Sequence, residues 1–420
     1  MKNKPEKFLG FIVILIVLFV AKFWLKTDIL FFRLLAGSGL GYALARAYTG
    51  FAGSVNRAYR TGSTKLMRTM LFMFFITAVL MTAFLFGKDP ASFNLWIKPI
   101  NIGLMLGGFL FGFGMSISVC CASGVLTDLP QALPRAFTTL IFFMVGTFIG
   151  FPVQYTANWV QKSWVSTYIG YRTMGGVFLP DLFQGDGFEG YLGALIVFGA
   201  ICLVISILAY YYEKRKKISG QYSGLEIEKV QENLEPMDLK KFKLFSADTY
   251  YHLFEKPWTL KQGAIALAII VTLMMGITGY GWGVSRAYGI WFGKILMLFG
   301  ISAEAIAEFA KVSAETFATP FFEHQTSVQN FGILVGAIIY LLTAGRFMEF
   351  FSSELNITKK QGLMYALGGL SMGFGTRVAQ GCNVGALFTP ISNFSLSGWV
   401  FLIFMIIGGI ISNKFSEKVF

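Results

Sequence analysis

The sequence has few charged residues, few histidines and few cysteines for its length. Only 14% of its 420 residues are Asp, Glu, Lys or Arg, whereas an average soluble domain has about 25%. So few charges cannot cover a water-exposed globule of this size, which argues against a soluble enzyme. Its two histidines, His252 and His324, lie far apart, and no His/Cys cluster has metal-ligand spacing. We therefore predict neither a metal nor another cofactor.

Apolar and aromatic residues are abundant instead. They reach 55% and 17% of the chain, and Phe alone occurs 45 times, which excludes a disordered protein. About 20 apolar residues are needed for a helix to cross a membrane. Apolar runs recur near 8–24, 29–44, 70–86, 101–119, 136–153, 190–211, 263–280, 289–301, 328–344, 361–375 and 396–412. This pattern predicts an all-α polytopic membrane protein.

Basic residues are concentrated between the apolar runs. The stretch 45–68 has five basic residues and no acidic residue, and Lys2, Lys4 and Lys7 precede the first run. The positive-inside rule therefore predicts a cytoplasmic N-terminus in the inner (plasma) membrane. The first run lacks a small-residue cleavage site, so we interpret it as an uncleaved span. The net charge of +13 is explained in this way, without nucleic-acid binding.

Four regions follow from the distribution of apolar and charged residues. We predict an N-terminal span at 1–28, a first membrane half at 29–212, a charged cytoplasmic linker at 213–259 and a second membrane half at 260–420. Within the linker, 213–257 has nine basic and eight acidic residues. It is interpreted either as a solvated connection between the halves or as a docking site for a soluble partner.

A repeat connects the two halves. Residues 107–124 read GGFLFGFGMSISVCCASG, and residues 368–385 read GGLSMGFGTRVAQGCNVG, with seven identities in 18 ungapped positions. Matching glycine-interrupted segments indicate a transporter site between broken helices. The runs 101–119 and 361–375 end in these glycine clusters and are therefore candidate half-helices. The sequence leaves open whether the repeats are parallel or inverted.

The repeat places Cys121 and Cys382 at equivalent positions. A thiol is a weak donor on a polarizable sulfur, which suits a soft sulfur-containing anion that must bind and then leave. Arg377 lies in an apolar run and is either functional or snorkels to an interface. Cys202 is interpreted as a small buried hydrophobe. The candidate pathway residues are Cys121, Cys382, Gly114, Gly124, Gly375, Gly385, Arg377, Asn383 and Gln380, with Cys120, Gly50, Arg46 and Arg286 as weaker candidates.

Glycines within the repeat have a second interpretation. Gly108-xxx-Gly112 and Gly369-xxx-Gly373 match the small-xxx-small pattern of close helix packing. A less exact repeat pairs Arg46-Ala47-Tyr48 with Arg286-Ala287-Tyr288, which is why Arg46 and Arg286 are candidates.

At GMSISVCCASG and GFGTRVAQGCNVGALFTPISNFSLSGWVF the sequence resembles the YeeE/YedE family of membrane proteins. The resemblance implies two pseudo-symmetric helical halves, with short re-entrant helices meeting near the bilayer midplane. It also implies uptake of thiosulfate or a related sulfur compound, with pathway cysteines at Cys121 and Cys382. The thiosulfate branch has a third cysteine near the N-terminus. Here the matching stretch, 46–51, has none, and Thr49 or Gly50 stands in its place.

The predicted function is an inner-membrane importer of a small sulfur-containing anion, not an enzyme. Two alternative functions would use the same candidate residues. One is a selenium-compound transporter of the same fold, and the other is a thiol-redox or persulfide relay through Cys121 and Cys382. A third is a scaffold that docks a cytoplasmic sulfur-carrier protein at 213–257. The glycine clusters lack the GK[ST] of a P-loop, so ATP is not predicted to drive transport.

Overall fold

The structure is a computed structural model that describes residues 4–235, 243 and 246–419. Eleven helices of twelve or more residues account for most of the described chain. In chain order they are α1 (Lys4–Leu15), α2 (Asp28–Ala47), α3 (Lys65–Leu85), α4 (Ile102–Ser118), α5 (Leu133–Thr156), α6 (Tyr191–Ile218), α7 (Leu260–Thr278), α8 (Ser285–Leu298), α9 (Gln325–Thr343), α10 (Lys359–Val378) and α11 (Ser397–Val419).

Shorter helical segments connect these helices. The α-helical ones are Ala21–Trp24, Ala52–Thr61, Gly124–Asp128, Asn158–Gln161, Tyr168–Arg172, Glu226–Glu232, Ala247–Tyr250, Ala303–Ala310, Glu315–Ala318, Phe347–Ser353 and Thr389–Ser392. Three 3₁₀ turns (Pro90–Ser92, Leu179–Phe183, Phe321–Glu323) and three π-helical turns (Ile16–Val20, Tyr251–Glu255, Asn383–Phe388) complete the described helical segments. Extended structure is limited there to two isolated bridges, Asn94 with Tyr280 and Phe178 with Ser395.

Eight helical stretches of the described chain are long and apolar enough to cross a membrane: Lys4–Trp24, Asp28–Thr61, α3, α5, α6, α7, α9 and α11. This confirms the predicted all-α polytopic class, and every apolar run of the sequence coincides with a helix. Helices α4 and α10, which contain the runs 101–119 and 361–375, are not among these eight, and their assignment as half-helices stays a prediction. The glycine clusters lie inside α4 and α10, where they pack against neighbouring backbones, and both helices end only a few residues before the cysteines.

Side-chain caps fix where the two repeat helices begin. The Asn101 side chain accepts a hydrogen bond from the Leu104 N–H (2.9 Å) at the start of α4. Thr358 and Gln361 form a capping box at the start of α10. Such caps satisfy backbone donors that the first turn leaves unpaired. Both helices therefore start at defined residues, and the segments that contain the cysteines follow directly after their C-terminal ends.

Helices α4 and α10 pack against each other in antiparallel orientation. A Cβ atom added to Gly107 would lie 2.6 Å from the Gly375 carbonyl oxygen, and one added to Gly114 would meet the Gly368 carbonyl oxygen. Gly107 is equivalent to Gly368 in the repeat, and Gly114 is equivalent to Gly375. The same contact is thus made twice with the roles exchanged, as across a two-fold axis. The two repeats are therefore inverted.

The outer packing of the repeat helices follows the same symmetry. Gly112 of α4 lies against the Met405 carbonyl of α11, and its equivalent Gly373 of α10 lies against the Phe143 carbonyl of α5. Phe143-Met144 and Phe404-Met405 are themselves related by the repeat offset. The close packing predicted from the small-xxx-small pattern is confirmed at both helices, because a side chain at either glycine would collide with backbone.

The linker is not a freely solvated connection where the structure describes it. Helix α6 continues to Ile218, beyond the predicted boundary at 212. The segment Glu226–Glu232 buries Glu228 and Gln231 against the first half. The Gln231 amide donates to the carbonyls of Ala47 (3.0 Å) and Trp258 (2.7 Å). Lys240 and Lys241, counted among the basic residues of the linker, lie outside the described residues.

Candidate functional site

The two cysteines follow the repeat helices in turns of the same shape. Val119 ends α4 with φ 55°, and its repeat equivalent Gln380, just after α10, has φ 56°. Left-handed backbone is unfavourable for a β-branched residue such as Val and is retained where the surroundings demand it. Each chain thus turns sharply, and Cys121 and Cys382 stand two residues further on. The equivalence seen in the sequence is therefore also an equivalence of backbone.

Both turns continue into a short helical segment. The Cys121 carbonyl accepts a hydrogen bond from the Val125 N–H (2.8 Å), and the Cys382 carbonyl accepts one from the Ala386 N–H (2.5 Å). Val125 and Ala386 are again repeat equivalents. After Cys121 the segment is Gly124–Asp128, and after Cys382 it is the π-helical turn Asn383–Phe388. These are the broken elements of the fold, and they come after the glycine clusters.

The Cys121 thiol lies in a small set of weak hydrogen-bond donors. Its Sγ accepts from the Gly124 N–H at 3.3 Å and lies 3.7 Å from the Ser123 Oγ. The Asn383 side chain, from the other cysteine turn, lies beside it. Asn383 is fully buried, and among the described residues its amide has no hydrogen-bond partner other than this contact with the thiol. Because buried polar groups are nearly always paired, this amide is a candidate contact for a ligand.

A cavity of about 790 Å³, the distal cavity, opens beside the Cys382 turn. Its wall includes Trp96, Arg286, Arg377, Gln380 and Gly385. Arg377 is only 3% exposed, so it does not snorkel to the outer surface of the protein. Its guanidinium donates to Ser285 Oγ (2.9 Å) and Gln154 Oε1 (3.2 Å) and forms no described ion pair with a carboxylate.

The distal cavity is positively charged. Four basic side chains line it: Arg33, Lys98, Arg286 and Arg377. The carboxylate in its wall, Glu323, pairs with Lys26 at 2.6 Å. His324 adds no charge at neutral pH, because burial, with smaller effects of Arg286 and Lys294, lowers its pKa to about 4. The cavity therefore suits an anion.

A second cavity of about 350 Å³, the linker-side cavity, adjoins the Cys121 turn. Gly50, Cys120, Cys121, Gly124 and Leu225 of the linker contribute to its wall. Two of the three arginines in its wall are paired with carboxylates, Arg57 with Glu228 (3.1 Å) and Arg135 with Asp128 (3.3 Å), and Arg60 donates to the Asn413 side chain (2.8 Å). This cavity has much less uncompensated positive charge than the distal cavity.

The two cavities lie at opposite ends of the same helices. In α2, Arg33 faces the distal cavity and Leu44 the linker-side cavity. In α5, Gln154 faces the distal cavity and Arg135 faces the linker-side cavity. These two residues are 19 positions, or about 28 Å, apart along the helix. Cys382 and Cys121 lie between the cavities, each next to one of them.

Several predicted candidates lie elsewhere. Gly114 and Gly375 are in the interface of α4 and α10 and line neither cavity. The Arg46 guanidinium donates to carbonyl groups of the linker, those of Lys256 (2.9 Å) and His252 (3.0 Å) among them, and so fastens the linker to α2. Cys202 donates to the Leu71 carbonyl (3.7 Å), away from both cavities. All four cysteines are free thiols.

Two side chains at the turns were not predicted. Lys98 donates to backbone carbonyls of the Cys382 turn, and the Tyr288 hydroxyl donates to the Ala122 carbonyl of the Cys121 turn (2.5 Å). Lys98 stands in a short apolar stretch, Leu95–Ile100, between the apolar runs 70–86 and 101–119. A lone basic residue in such a stretch is a signal for function, and it was available in the sequence.

The geometry defines a class of protein. An all-helical membrane body with inverted halves, whose broken segments meet between two opposite cavities, is the architecture of a membrane transporter. Comparison with known sequences gives the family. The profile described as sulphur transport matches residues 46–411, and the chain therefore belongs to this family, the YeeE/YedE family predicted above.

Individual relatives agree with this membership. The Escherichia coli protein named "Probable transporter YedE" is 32% identical over 168 residues, which cover 39% of this chain and only 40% of that relative. The "Thiosulfate transporter TsuA" of Spirochaeta thermophila is 25% identical over 337 residues, or 80% of this chain and 84% of the relative. The Escherichia coli protein of the same name is 23% identical over 381 residues, or 89% and 91%. These names describe transporters rather than enzymes.

Proposed function

We propose that the protein imports a small sulfur-containing anion, thiosulfate or a related species, across the inner membrane. The anion enters the distal cavity, passes the Cys382 turn and then the Cys121 turn, and leaves through the linker-side cavity. One observation carries the proposal: two equivalent thiol turns lie between two cavities at opposite ends of the same helices. The similarity to proteins named thiosulfate transporters supports the choice of substrate.

The groups beside the two turns match the chemistry of such an anion. A neutral thiol offers a weak S–H donor and a polarizable sulfur, which favour contact with a soft terminal sulfur. The Asn383 amide, which is fully buried and has no partner in the described chain besides the Cys121 thiol, offers a donor for an oxygen atom of the same anion. Weak donors in sequence hold an anion loosely enough for it to move on.

The difference in charge between the cavities supports the direction. The distal cavity is lined by four basic residues, whereas the charged residues of the linker-side cavity are mostly paired. A positive cavity concentrates anions at its mouth. The basic stretch 45–68 and the linker belong on the cytoplasmic side by the positive-inside rule, so the distal cavity faces outward.

The absence of the third family cysteine affects the inner end of this path. Gly50 lines the linker-side cavity, and nothing lies within 4 Å of the position its Cβ would take. Thr49 or Gly50 stands in the place of that cysteine, and Gly50 leaves open space at its own position. The proposed path therefore has thiols at two stations. Thiosulfate, other small sulfur species and selenium compounds are consequently compared in the same experiment.

The test is uptake of radiolabelled thiosulfate by cells that lack other thiosulfate importers. Wild type is compared with Cys121→Ala, Cys382→Ala and Cys202→Ala, each at measured membrane expression. Cys202 is a matched control, because it is a buried thiol outside both cavities. We expect uptake by wild type and Cys202→Ala and a large loss in the other two variants.

Other outcomes count against parts of the proposal. Equal uptake by all four proteins would refute the thiol path. No uptake of thiosulfate or of other sulfur anions by well-expressed wild type, together with uptake of a selenium compound, would replace the substrate. A persistent Cys121–Cys382 disulfide or persulfide in alkylated protein would favour the redox relay.

A further inference from the structure

Lys98 lies at the inner end of the distal cavity, against the Cys382 turn. It is 2% exposed although it belongs to a connection between α3 and α4. The neighbouring Leu95 and Ile97 are also buried, so this part of the connection enters the protein rather than crossing its surface. The Lys98 Nζ lies 5.0 Å from the centre of the Trp96 ring, within the range of a cation–π contact.

The Lys98 ammonium holds both sides of the cysteine turn. It donates to the Gln380 carbonyl (2.5 Å), two residues before Cys382, and to the Gly385 carbonyl, three residues after it. A Cβ at Gly381 would lie 2.5 Å from Nζ. The ammonium therefore occupies space that only glycine leaves open, next to the residue that precedes Cys382.

Lys98 has no carboxylate partner among the described residues, and burial lowers the pKa of its ammonium to about 7, so a nearby anion would favour the charged form. An ammonium has three N–H donors, and the described hydrogen bonds use two of them. A buried charge without a counter-charge is costly. An anion that enters the distal cavity and reaches Cys382 would supply the missing negative charge and accept from the third N–H.

The equivalent turn at Cys121 is held by a neutral group. There the Tyr288 hydroxyl donates to the Ala122 carbonyl. The inverted repeat thus builds the same backbone turn twice, but among the described residues a cation donates hydrogen bonds only to the Cys382 turn. This difference gives the two thiol stations unequal affinity for an anion.

We propose that Lys98 determines anion affinity at the Cys382 turn, where it acts as a charged donor beside the thiol. The inference deepens the proposed function and rests on it. The anion is captured where the cation lies and is then passed to the neutral Cys121 turn, from which it leaves. Lys98 should therefore set the concentration of anion at which transport is half-maximal.

The experiment compares thiosulfate uptake by proteoliposomes that contain wild type, Lys98→Met, Lys98→Gln or Lys294→Met. Lys294 is a matched control, because its ammonium also donates to two backbone carbonyls, those of Phe317 (2.7 Å) and Thr319, but it does not line the distal cavity. Lys98→Gln keeps a donor for the turn without the charge. If Lys98→Met does not fold, Lys98→Gln alone provides the test.

We expect KM to rise about tenfold or more in both Lys98 variants, because hydrogen bonds to charged groups are the stronger ones. Lys294→Met should keep the KM of wild type. An unchanged KM in Lys98→Gln, or an equal rise in Lys294→Met, would overturn the inference and make Lys98 a purely structural residue. Wild type without uptake of any sulfur anion would instead refute the proposed function itself.

Discussion

Replacement of Asn383 by Ala tests whether the Asn383 amide contacts the transported anion or only supports the fold. Asn383 is fully buried, and the Cys121 thiol is the one group of the described chain that contacts its amide, so most of the hydrogen-bonding capacity of the amide is unused. Its repeat equivalent is Ala122. Alanine is therefore already present at this position of the same turn in the other half, and the backbone should accept it.

The expected change in stability follows from the missing hydrogen bonds. A buried polar group without a partner costs about 1–3 kcal/mol, and its removal relieves that cost. The side-chain atoms lost from packing act in the opposite direction. The two effects are of similar size, so the free energy of unfolding should stay within about 1 kcal/mol of wild type. Uptake should fall about tenfold, because the anion loses a donor between the thiols.

Asn393 provides the matched control. It is equally buried, but its amide donates to the Leu95 carbonyl at 3.1 Å. Asn393→Ala removes the same atoms and leaves that carbonyl unpaired, so it should be less stable than Asn383→Ala by about 1–3 kcal/mol. The assays are chemical unfolding in detergent and uptake per folded protein. If Asn383→Ala lost as much stability as Asn393→Ala and kept full uptake, the amide would be structural and the reasoning refuted.

Three further predictions concern packing, charge and the linker. Gly112→Leu should lower the free energy of unfolding by about 1–3 kcal/mol, because the Met405 carbonyl leaves no room for a side chain. A lower yield and unfolding temperature would show this, and wild-type stability would contradict it. Arg377→Gln should slow uptake at low anion concentration and make uptake less dependent on ionic strength, measured between low and physiological salt. An unchanged salt dependence would argue against electrostatic attraction of the anion by Arg377. Glu228→Gln should raise the rate of backbone amide hydrogen exchange in Glu226–Glu232, because it weakens the ion pair with Arg57. An unchanged exchange rate would mean that this ion pair does not hold the linker in place.

Much of the fold could be predicted from the sequence, because membrane crossing requires long apolar runs and leaves few alternatives to helices. The repeat also identified Cys121 and Cys382, since a shared cysteine after a shared glycine cluster is visible without a structure. The glycines gave an ambiguous signal. Close backbone contact and a chain break both favour glycine, so the sequence does not distinguish the two. We predicted Gly114 and Gly375 as pathway residues together with the cysteines, but they lie where α4 and α10 cross.

Contacts between distant segments could not be predicted. Lys98 and Tyr288 reach the cysteine turns from elements far away in sequence, 282 positions from Gln380 and 166 from Ala122. Nothing in the local pattern gives such a pairing. The same holds for Arg46, whose position in the Arg-Ala-Tyr repeat suggested a pathway role while its guanidinium binds linker carbonyls. An inverted arrangement likewise became evident only from the reciprocal contacts of α4 and α10.

The most direct test of the account is the position of a bound anion between the cavities. Selenosulfate, the selenium analogue of thiosulfate, would be diffused into crystals of the protein and located by the anomalous scattering of selenium. The account predicts selenium in direct contact with the Cys382 Sγ, the Cys121 Sγ or both, with occupancy lost in Cys382→Ala at the first station. Selenium found only at the outer surface, with both thiols uncontacted at saturating anion, would contradict a path through the two cysteine turns.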